Sequence, residues 1–595
     1  MVQKIKMEKS ISAAIVTHSR SEFDVIAVEY DVLSADMILW RPDFTVVTDR
    51  NSSFPNSLGD GIDRDIGLSA TDDIHNALSS WYYDQYGDDL TSVDGCSLGT
   101  VFESSTELLF YNVAQCYLEF DRLHGCYDTV LVDSLEDPVK EFVTKWFQEQ
   151  GCHQFKIVRS YKHKKKYSVS VHPMNLLRDL EYALRGSSLD SVIGWLIRKL
   201  QPIKTKTVFI FDAAKFEDYL CRKKEDRFSN ISILTPIRRQ LRTIRGNSIF
   251  WKRTKIKPHT ELKMIAMNAN SKGWRLDTNV IPIDLLQSAV QQFVIPHWPS
   301  AMSYFNSYLN VFRDFKIRLA VFCTDGTELA LLGAYAAKTL GIPTVVMPHG
   351  IAPWTHSSLI KQSKGLFDTY YSIGKYDTLK FKECGLAVSS IEDIKLPWFS
   401  NRSFCSYSRK VKSSSIQKAM LLPLDTGFSL SFSASDIMVH IKEMIEACEF
   451  CGVEVHGIKF RSAREVRSFG LVVGENEIFG RNTFVYAGYG SLSDYFEDID
   501  LVIGPFNSAT AECAISRIPY YCYQDCSIYV KNPNIFYHLA QSISHIASSP
   551  EELEKNLTQG KIFQDKYDAQ SLVATDESFL GACRDLDKLF EENFN

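Results

Sequence analysis

The sequence predicts an α/β protein built from doubly wound parallel sheets. Short apolar or β-branched runs recur along the 595 residues, and a turn and a longer amphipathic stretch usually follow each run. Several runs are apolar throughout, which is typical of strands that helices cover on both faces. The composition agrees, because 45% hydrophobic and 23% charged residues are ordinary for a globular chain and exclude disorder or a coiled coil.

The pattern predicts eleven strands and at least three helices between them. The predicted strands are 13–16, 45–48, 129–132, 155–158, 208–211, 319–323, 343–347, 419–422, 453–460, 483–487 and 501–503. The predicted helices are 328–340, 435–448 and 509–516. Strands and helices that alternate in this way favour parallel sheets.

Length and local composition predict three units. A serine-rich basic stretch over 400–417 marks a boundary between the preceding residues and a C-terminal body. This body, 401–595, begins within that stretch and has the size of one Rossmann-like lobe. The preceding 400 residues are too many for one such lobe. We therefore expect an N-terminal α/β region over 1–200 and a Rossmann-like lobe over 201–400.

Charge and hydropathy exclude several classes of protein. The net charge is −6, which does not favour a nucleic-acid binder. No apolar run approaches the roughly 18 residues of a membrane span, and the amino terminus lacks a signal-peptide pattern, so we expect a cytoplasmic chain. Cys448 and Cys451 form a CxxC without a second pair, which favours core packing over a zinc or redox site.

One basic segment departs from this balance. Residues 236–258 carry eight lysines and arginines and no acid, with Ile249, Phe250 and Trp251 among them. One interpretation is a solvated face. The other is a patch for an anionic membrane surface or an anionic polymer. Nucleic acid is disfavoured because no recognition motif accompanies the charge.

The first segment with chemical potential is 319–356. A predicted strand runs to Cys323 and is followed by Asp325 and a helix that starts near Glu328; the next strand leads into Pro348, His349 and Gly350. The carboxyl ends of both strands open on one edge of a parallel sheet, where such folds bind ligands. Asp325, Glu328 and His349 are therefore candidate catalytic residues, although Asp325 could instead cap the helix.

The second segment is 486–524, where the predicted strand 501–503 leads into a turn and a helix. Asn507 or Ser508 can cap this helix and leave backbone N–H groups for an anion, as the phosphate of a nucleotide requires. A plain helix cap and an exposed charge are the alternative interpretation. The candidate donor-binding residues are Gly504, Asn507, Ser508, Thr510 and Glu512, together with Lys459 and Arg461 on an earlier strand.

The two segments together resemble bacterial glycosyltransferases of the GT-B architecture that build surface polysaccharides. That set includes Kdo, sialic-acid and polyol-phosphate transferases of capsule, lipopolysaccharide and teichoic-acid synthesis. The matching positions are His349 in the first motif and Asp500, Ser508, Glu512 and Pro519 in the second. Lys459 and Arg461 resemble a lysine element of related donor lobes, although Phe460 and Arg461 depart from its usual form.

This resemblance implies two Rossmann-like lobes that face a cleft, with an enlarged N-terminal lobe. It implies a glycosyltransferase without a metal or other cofactor. Such an enzyme moves a sugar, for instance a CMP-linked acidic sugar, from its nucleotide to a surface-polysaccharide or lipid-linked glycan. It would work in the cytoplasm or peripherally on the inner face of the cell membrane. A sugar-nucleotide 2-epimerase and a non-catalytic scaffold of polysaccharide assembly remain open as alternatives.

Overall fold

The structure is a computed structural model that describes most of residues 12–160 and shorter stretches after them. The described residues are 12–17, 20–41, 44–48, 64–135, 137–160, 206–211, 231–236, 247–249, 262, 264–265, 267–268, 274, 278–322, 327–346, 365–371, 391–392, 417–423, 434–460, 484–486, 492–505, 509, 513, 518–523 and 546–560. Within these ranges, no helix combines the length and the apolar character needed to cross a lipid bilayer.

The first sheet lies within residues 13–159 and has the strand order β3-β2-β1-β6-β7. Its strands are β1 (Ala13–Thr17), β2 (Asp36–Arg41), β3 (Phe44–Thr48), β6 (Thr129–Asp133) and β7 (Phe155–Arg159), and a separate hairpin joins β4 (Ser92–Val93) and β5 (Cys96–Ser97). The edge strand β3 is antiparallel to β2, and the other neighbours pair in parallel. The helices are α1 (Arg20–Glu29), α2 (Arg64–Ser80), α3 (Leu98–Cys126) and α4 (Pro138–Glu149).

The second sheet is parallel and has the order β10-β9-β8-β11-β12-β13-β14. Its strands are β8 (Lys206–Phe211), β9 (Ile231–Pro236), β10 (Asn247–Ile249), β11 (Ile317–Phe322), β12 (Thr344–Val346), β13 (Thr369–Tyr371) and β14 (Ile391–Glu392). Its helices are α5 (Ile283–Ala289), α6 (Trp298–Asp314) and α7 (Glu328–Thr339). A π-helical turn, Val290–Val294, and a 3₁₀ turn, Ile295–His297, join α5 to α6.

The third sheet is also parallel and has the order β17-β16-β15-β18-β19. Its strands are β15 (Lys418–Leu421), β16 (Glu454–Lys459), β17 (Phe484–Tyr486), β18 (Leu501–Gly504) and β19 (Tyr520–Cys522). The helices described with it are α8 (Ala434–Phe450), a 3₁₀ turn over Leu492–Tyr495, and α9 (Pro550–Thr558).

All three sheets wind in the same way. In each, the first strand along the chain lies inside the sheet, the next strands extend to one side of it, and the chain then crosses to the other side. The strand order therefore reverses between β1 and β6, between β8 and β11, and between β15 and β18. This confirms the predicted α/β class with doubly wound lobes, and each of the eleven predicted strands overlaps an observed strand.

The enlargement expected in the N-terminal part is a separate doubly wound sheet. The boundaries predicted at 200 and 400 fall outside the described residues and stay predictions. Helix α3 connects the first two sheets, since its buried side chains belong to one hydrophobic core with those of α6 and α7. Ser97 caps α3 by accepting a hydrogen bond from the backbone N–H of Thr100 at 3.1 Å.

Candidate functional site

The carboxyl edge of the second sheet is where the first motif begins. Strands β11 and β12 pair in parallel with Phe322 opposite Val346, so the chain leaves both strands at the same edge. Asp325 and His349 each follow three residues after these strand ends but lie outside the described residues. Their convergence on this edge remains a prediction.

Glu328 is described, and its surroundings were not expected from the sequence. It is the first residue of α7, and the N-cap residue Thr327 makes no side-chain capping bond. The Glu328 carboxylate accepts a hydrogen bond from the hydroxyl of Ser105, which lies on α3. Helix α3 belongs to the first domain, by which we mean the first sheet with α1–α4; the second domain is the second sheet with α5–α7. A residue 223 positions earlier in the chain therefore contacts the second sheet's candidate site.

Lys459 and Gly504 both lie at the carboxyl edge of the third sheet, at the ends of strands that flank β15. Lys459 ends β16, Gly504 ends β18, and β15 lies between them, with Leu421 opposite a residue of each. The two ends are thus about 10 Å apart at the strand spacing of parallel sheets. The other candidate donor-binding residues, Arg461, Asn507, Ser508, Thr510 and Glu512, are outside the described part of the chain.

Gly504 has a packing reason to be glycine. A Cβ at this position would lie 2.7 Å from the Cβ of Leu422 and 2.9 Å from its carbonyl oxygen. The next residue, Pro505, is held by Tyr520, whose hydroxyl donates to the Pro505 carbonyl oxygen at 2.6 Å. The chain therefore leaves β18 against the end of β15, with buried contacts at both Gly504 and Pro505.

Asp500, which matched the second motif, lies at the opposite edge of the sheet. It precedes β18, and its carboxylate accepts a hydrogen bond from the first residue of β15. Aspartates that precede β6 and β13 bond neighbouring chain segments in the same way. The three hydrogen bonds run from Ser12 N–H to Asp128 Oδ2 at 3.3 Å, from Thr344 N–H to Asp368 Oδ2 at 2.7 Å, and from Lys418 N–H to Asp500 Oδ2 at 2.8 Å. Asp500 thus ties strands together and lies away from the ligand edge.

The carboxyl edge of the first sheet carries a charged cluster that the sequence analysis did not single out. Asp133 ends β6 fully buried, and its carboxylate is 2.5 Å from the Arg159 guanidinium, which is 3.7 Å from Glu22. Lys140 is also fully buried, and this burial lowers the pKa of its ammonium to about 8, against the opposing charges of Asp137 and Asp133. The sequence feature that could have indicated this cluster is the apolar strand β6, which leads directly into Asp133 and Ser134.

A second buried polar cluster lies between α2 and α3. The Glu107 carboxylate is 3.9 Å from His75 Nε2, which is 3.1 Å from the Tyr111 hydroxyl. Burial raises the pKa of Glu107 to about 8, and burial lowers the pKa of His75 against the opposing charge of Asp72. Near neutral pH the structure therefore favours a protonated acid beside a neutral imidazole.

The basic segment, metal binding and the CxxC pair can be compared with the described residues only in part. Of the basic segment 236–258, the structure describes Pro236 at the end of β9 and the edge strand β10, so its contact with a membrane stays a prediction. Among the described residues, no group of three or more histidine, cysteine or acidic side chains has metal-binding geometry. Cys448 is buried, and its pKa is raised to about 12 by that burial.

Comparisons with known proteins identify no family. Searches with protein-family models and with curated protein sequences each find no match. Solved structures give distant likenesses. A UDP-GlcNAc 2-epimerase from Neisseria meningitidis bound to UDP-GlcNAc is 10% identical, with a TM-score of 0.38, and the match covers 65% of this chain and all of that one.

Two solved transferases are similarly distant. The lipopolysaccharide outer core galactosyltransferase WaaB is 10% identical with a TM-score of 0.33, over 64% of this chain and 99% of that one. The wall teichoic acid polymerase TagF is 13% identical with a TM-score of 0.38, over 72% of this chain and 98% of that one. Likenesses of this size assign neither an activity nor a substrate to the chain.

Proposed function

We propose that the chain is a glycosyltransferase that moves a sugar from a nucleotide-activated donor to a surface-polysaccharide or lipid-linked glycan. The observation that carries the proposal is the position of the two motifs. The PHG motif follows β12 of the second sheet, and the SxxxE motif follows β18 of the third. Strand β11, which Asp325 follows, and strand β18, which the SxxxE motif follows, each border the point where the strand order reverses, the place where α/β folds bind ligands. The PHG motif follows β12, the next strand beyond β11 in the same sheet.

On this proposal the second sheet provides the groups that act on the acceptor. Transfer to a hydroxyl needs a base for the acceptor proton, or a carboxylate nucleophile where the sugar's configuration is retained. His349 or Asp325 takes this role, and Glu328 contributes a second carboxylate at the start of α7.

The third sheet provides the groups that hold the donor. The departing nucleotide phosphate needs positive potential, which the start of the helix after Ser508 provides together with Lys459 or Arg461. Glu512, one turn into that helix, accepts hydrogen bonds from donor sugar hydroxyls. Gly504, Asn507 and Thr510 belong to the same turn.

The first experiment is a thermal-shift screen of CMP, UDP, GDP and CDP conjugates. A ligand at 100 times its Kd stabilises the folded state by about 2.7 kcal/mol, which raises the unfolding midpoint. The conjugate that binds is then tested for nucleotide release. Release that depends on a glycan acceptor supports transfer, and inversion at the sugar's C2 without acceptor indicates an epimerase. A conjugate that binds but is not turned over under either condition indicates a scaffold.

Variants then test the two edges separately. His349→Ala and Asp325→Ala should each lower turnover at least about 100-fold while the fold persists, because a proton-transfer or nucleophilic group is lost. Replacing Ser508 and Glu512 together by alanine should weaken nucleotide affinity more than acceptor affinity. Asp500→Asn is the charge control, since it removes a negative charge from the opposite edge of the same sheet and keeps an oxygen that can accept the Lys418 N–H. Normal turnover in both single variants would move the chemistry elsewhere.

We also propose that the basic segment 236–258 holds the enzyme at an anionic membrane surface, where a lipid-linked acceptor is available. Each basic residue near such a surface contributes about 1 kcal/mol, so half of the eight would give about 4 kcal/mol, enough for reversible attachment. Co-sedimentation with anionic liposomes should disappear at high salt, and also when Arg238, Arg239, Arg242 and Arg245 are changed to serine. If the wild-type chain does not bind liposomes at low salt, the segment is either a solvated face or the binding site of a soluble anionic acceptor.

A further inference from the structure

Helix α3 of the first domain runs along α7 of the second. Tyr335, in the second half of α7, lies close to Thr100 and Ser97 at the start of α3. Ser105, further along α3, bonds Glu328 at the start of α7. The residue numbers increase in opposite directions, so the helices are antiparallel. Ser105 therefore lies at the end of α7 that opens on the carboxyl edge of the second sheet.

Further hydrogen bonds fix the first domain against the second. Asp73 of α2 is almost completely buried, and its carboxylate accepts backbone N–H groups from three consecutive residues. These are Asn279 at 2.9 Å, Val280 at 2.7 Å and Ile281 at 3.1 Å. The Trp146 indole on α4 donates to Asp284 at 3.1 Å. Together with the shared core, these bonds hold α3 at a defined distance from α7.

A glutamate side chain in the first turn of a helix has several accessible rotamers. Glu328 is half-buried, so contacts with neighbouring side chains decide which rotamer its carboxylate adopts. Among the described residues, Ser105 is the side chain that the structure gives Glu328 as a hydrogen-bond partner. The bond ties one carboxylate oxygen to α3, and the turn with Asp325 directly precedes Glu328 in the chain.

We propose that Ser105 is a positioning residue for Glu328, so that the first domain completes the acceptor side of the active site. This inference rests on the proposed function. It assigns to Glu328 a contact with the acceptor hydroxyl and to Ser105 the orientation of that carboxylate, because reacting groups must be held within a fraction of an ångström for efficient transfer. The first domain is then part of the catalytic unit.

The test compares Ser105→Ala with a matched control in the full-length chain. Ser104→Ala removes a neighbouring, equally half-buried hydroxyl that has no hydrogen-bond partner among the described residues. Ser105→Ala should lower kcat about tenfold or more and leave the KM for the nucleotide sugar unchanged, whereas Ser104→Ala should leave both unchanged. Ser105→Thr, which keeps a hydroxyl, should recover most of kcat.

A double-mutant cycle with Glu328→Gln separates positioning from a general structural effect. If Ser105 acts through Glu328, Ser105→Ala should cost little further activity once Glu328 is Gln. Equal kcat in Ser105→Ala and Ser104→Ala, or additive losses in the cycle, would overturn the inference while transfer itself stands. A wild-type chain that transfers no sugar from any nucleotide tested would overturn the proposed function, and the inference with it.

Discussion

Replacing Glu107 by Gln should remove a pH-dependent weakness from the core between α2 and α3. Glu107 is 3% exposed, and burial raises its pKa from 4.5 to about 8. The groups that face it are His75 at 3.9 Å and Tyr111, with Asp72 acting on the histidine. Gln has the shape of the protonated acid and never ionises, so it isolates the effect of this one carboxyl group.

The sign follows from the pKa of Glu107. The folded-state pKa is raised, so the carboxyl contributes stability at low pH, and that contribution is lost as pH rises from 4.5 toward about 8. Over this interval the folded chain binds about one proton more than the unfolded chain, which costs about 1.4 kcal/mol per pH unit. The difference falls below one proton near both pKa values, so between pH 5 and pH 8 the wild type should lose about 3.5 kcal/mol relative to the Gln variant.

Hydrogen exchange of peptides that cover α3 measures this difference, because it reports the opening free energy of that helix. The exposed Glu149→Gln change on α4 is the control, since it removes the same charge from the surface. We expect the wild type and the control to weaken together as pH rises, and the Glu107→Gln chain to weaken less. An equal pH dependence in all three chains would show that Glu107 is ionised in the folded protein.

Three further changes test buried contacts, one between the first two domains and two within single sheets. Asp73→Ala leaves three backbone N–H groups without their acceptor and should destabilise the first two domains by about 3 kcal/mol or more, seen as a lower thermal midpoint. Gly504→Ala forces a Cβ into Leu422 and should cost about 1–3 kcal/mol and weaken nucleotide binding in a thermal-shift titration. Arg159→Met leaves buried Asp133 without its guanidinium and should cost about 2–4 kcal/mol by urea denaturation, most of which a second change, Asp133→Asn, should restore.

The strands were predictable wherever burial on both faces makes a continuous apolar run. β1, β11 and β18 are buried along all or nearly all of their length, and their sequences are almost wholly apolar. The strands that the pattern missed include short ones, such as β10 and β14 at the two edges of the second sheet, and also the six-residue strands β2 and β9, which lie inside their sheets. A two- or three-residue strand is too short to show a period, so only its neighbours in space define it.

The local half of the candidate site was predictable, and the contact across domains was not. The carboxyl edge follows from strand order, because parallel neighbours such as β11 and β12 end at the same level. The bond between Ser105 and Glu328 joins residues 223 positions apart, and no periodicity within a helix reports on a partner at that distance. The 29-residue helix α3, which makes this contact possible, was itself not predicted from the sequence.

The structural roles of Asp500 and Gly504 change which residues test the resemblance to GT-B transferases. In all three sheets an aspartate before a buried strand accepts a hydrogen bond from the neighbouring strand or from the residue before that strand. Asp500, the first residue of the second motif, is therefore explained by folding alone. Gly504, at the end of the strand that follows Asp500, is explained by its contact with Leu422. Any doubly wound sheet with this geometry would favour both residues, whatever it binds. The resemblance that bears on chemistry is therefore confined to His349 after β12 and to Ser508 and Glu512 after β18, and the loss of activity or affinity in their variants is the measurement that distinguishes a transferase from a scaffold.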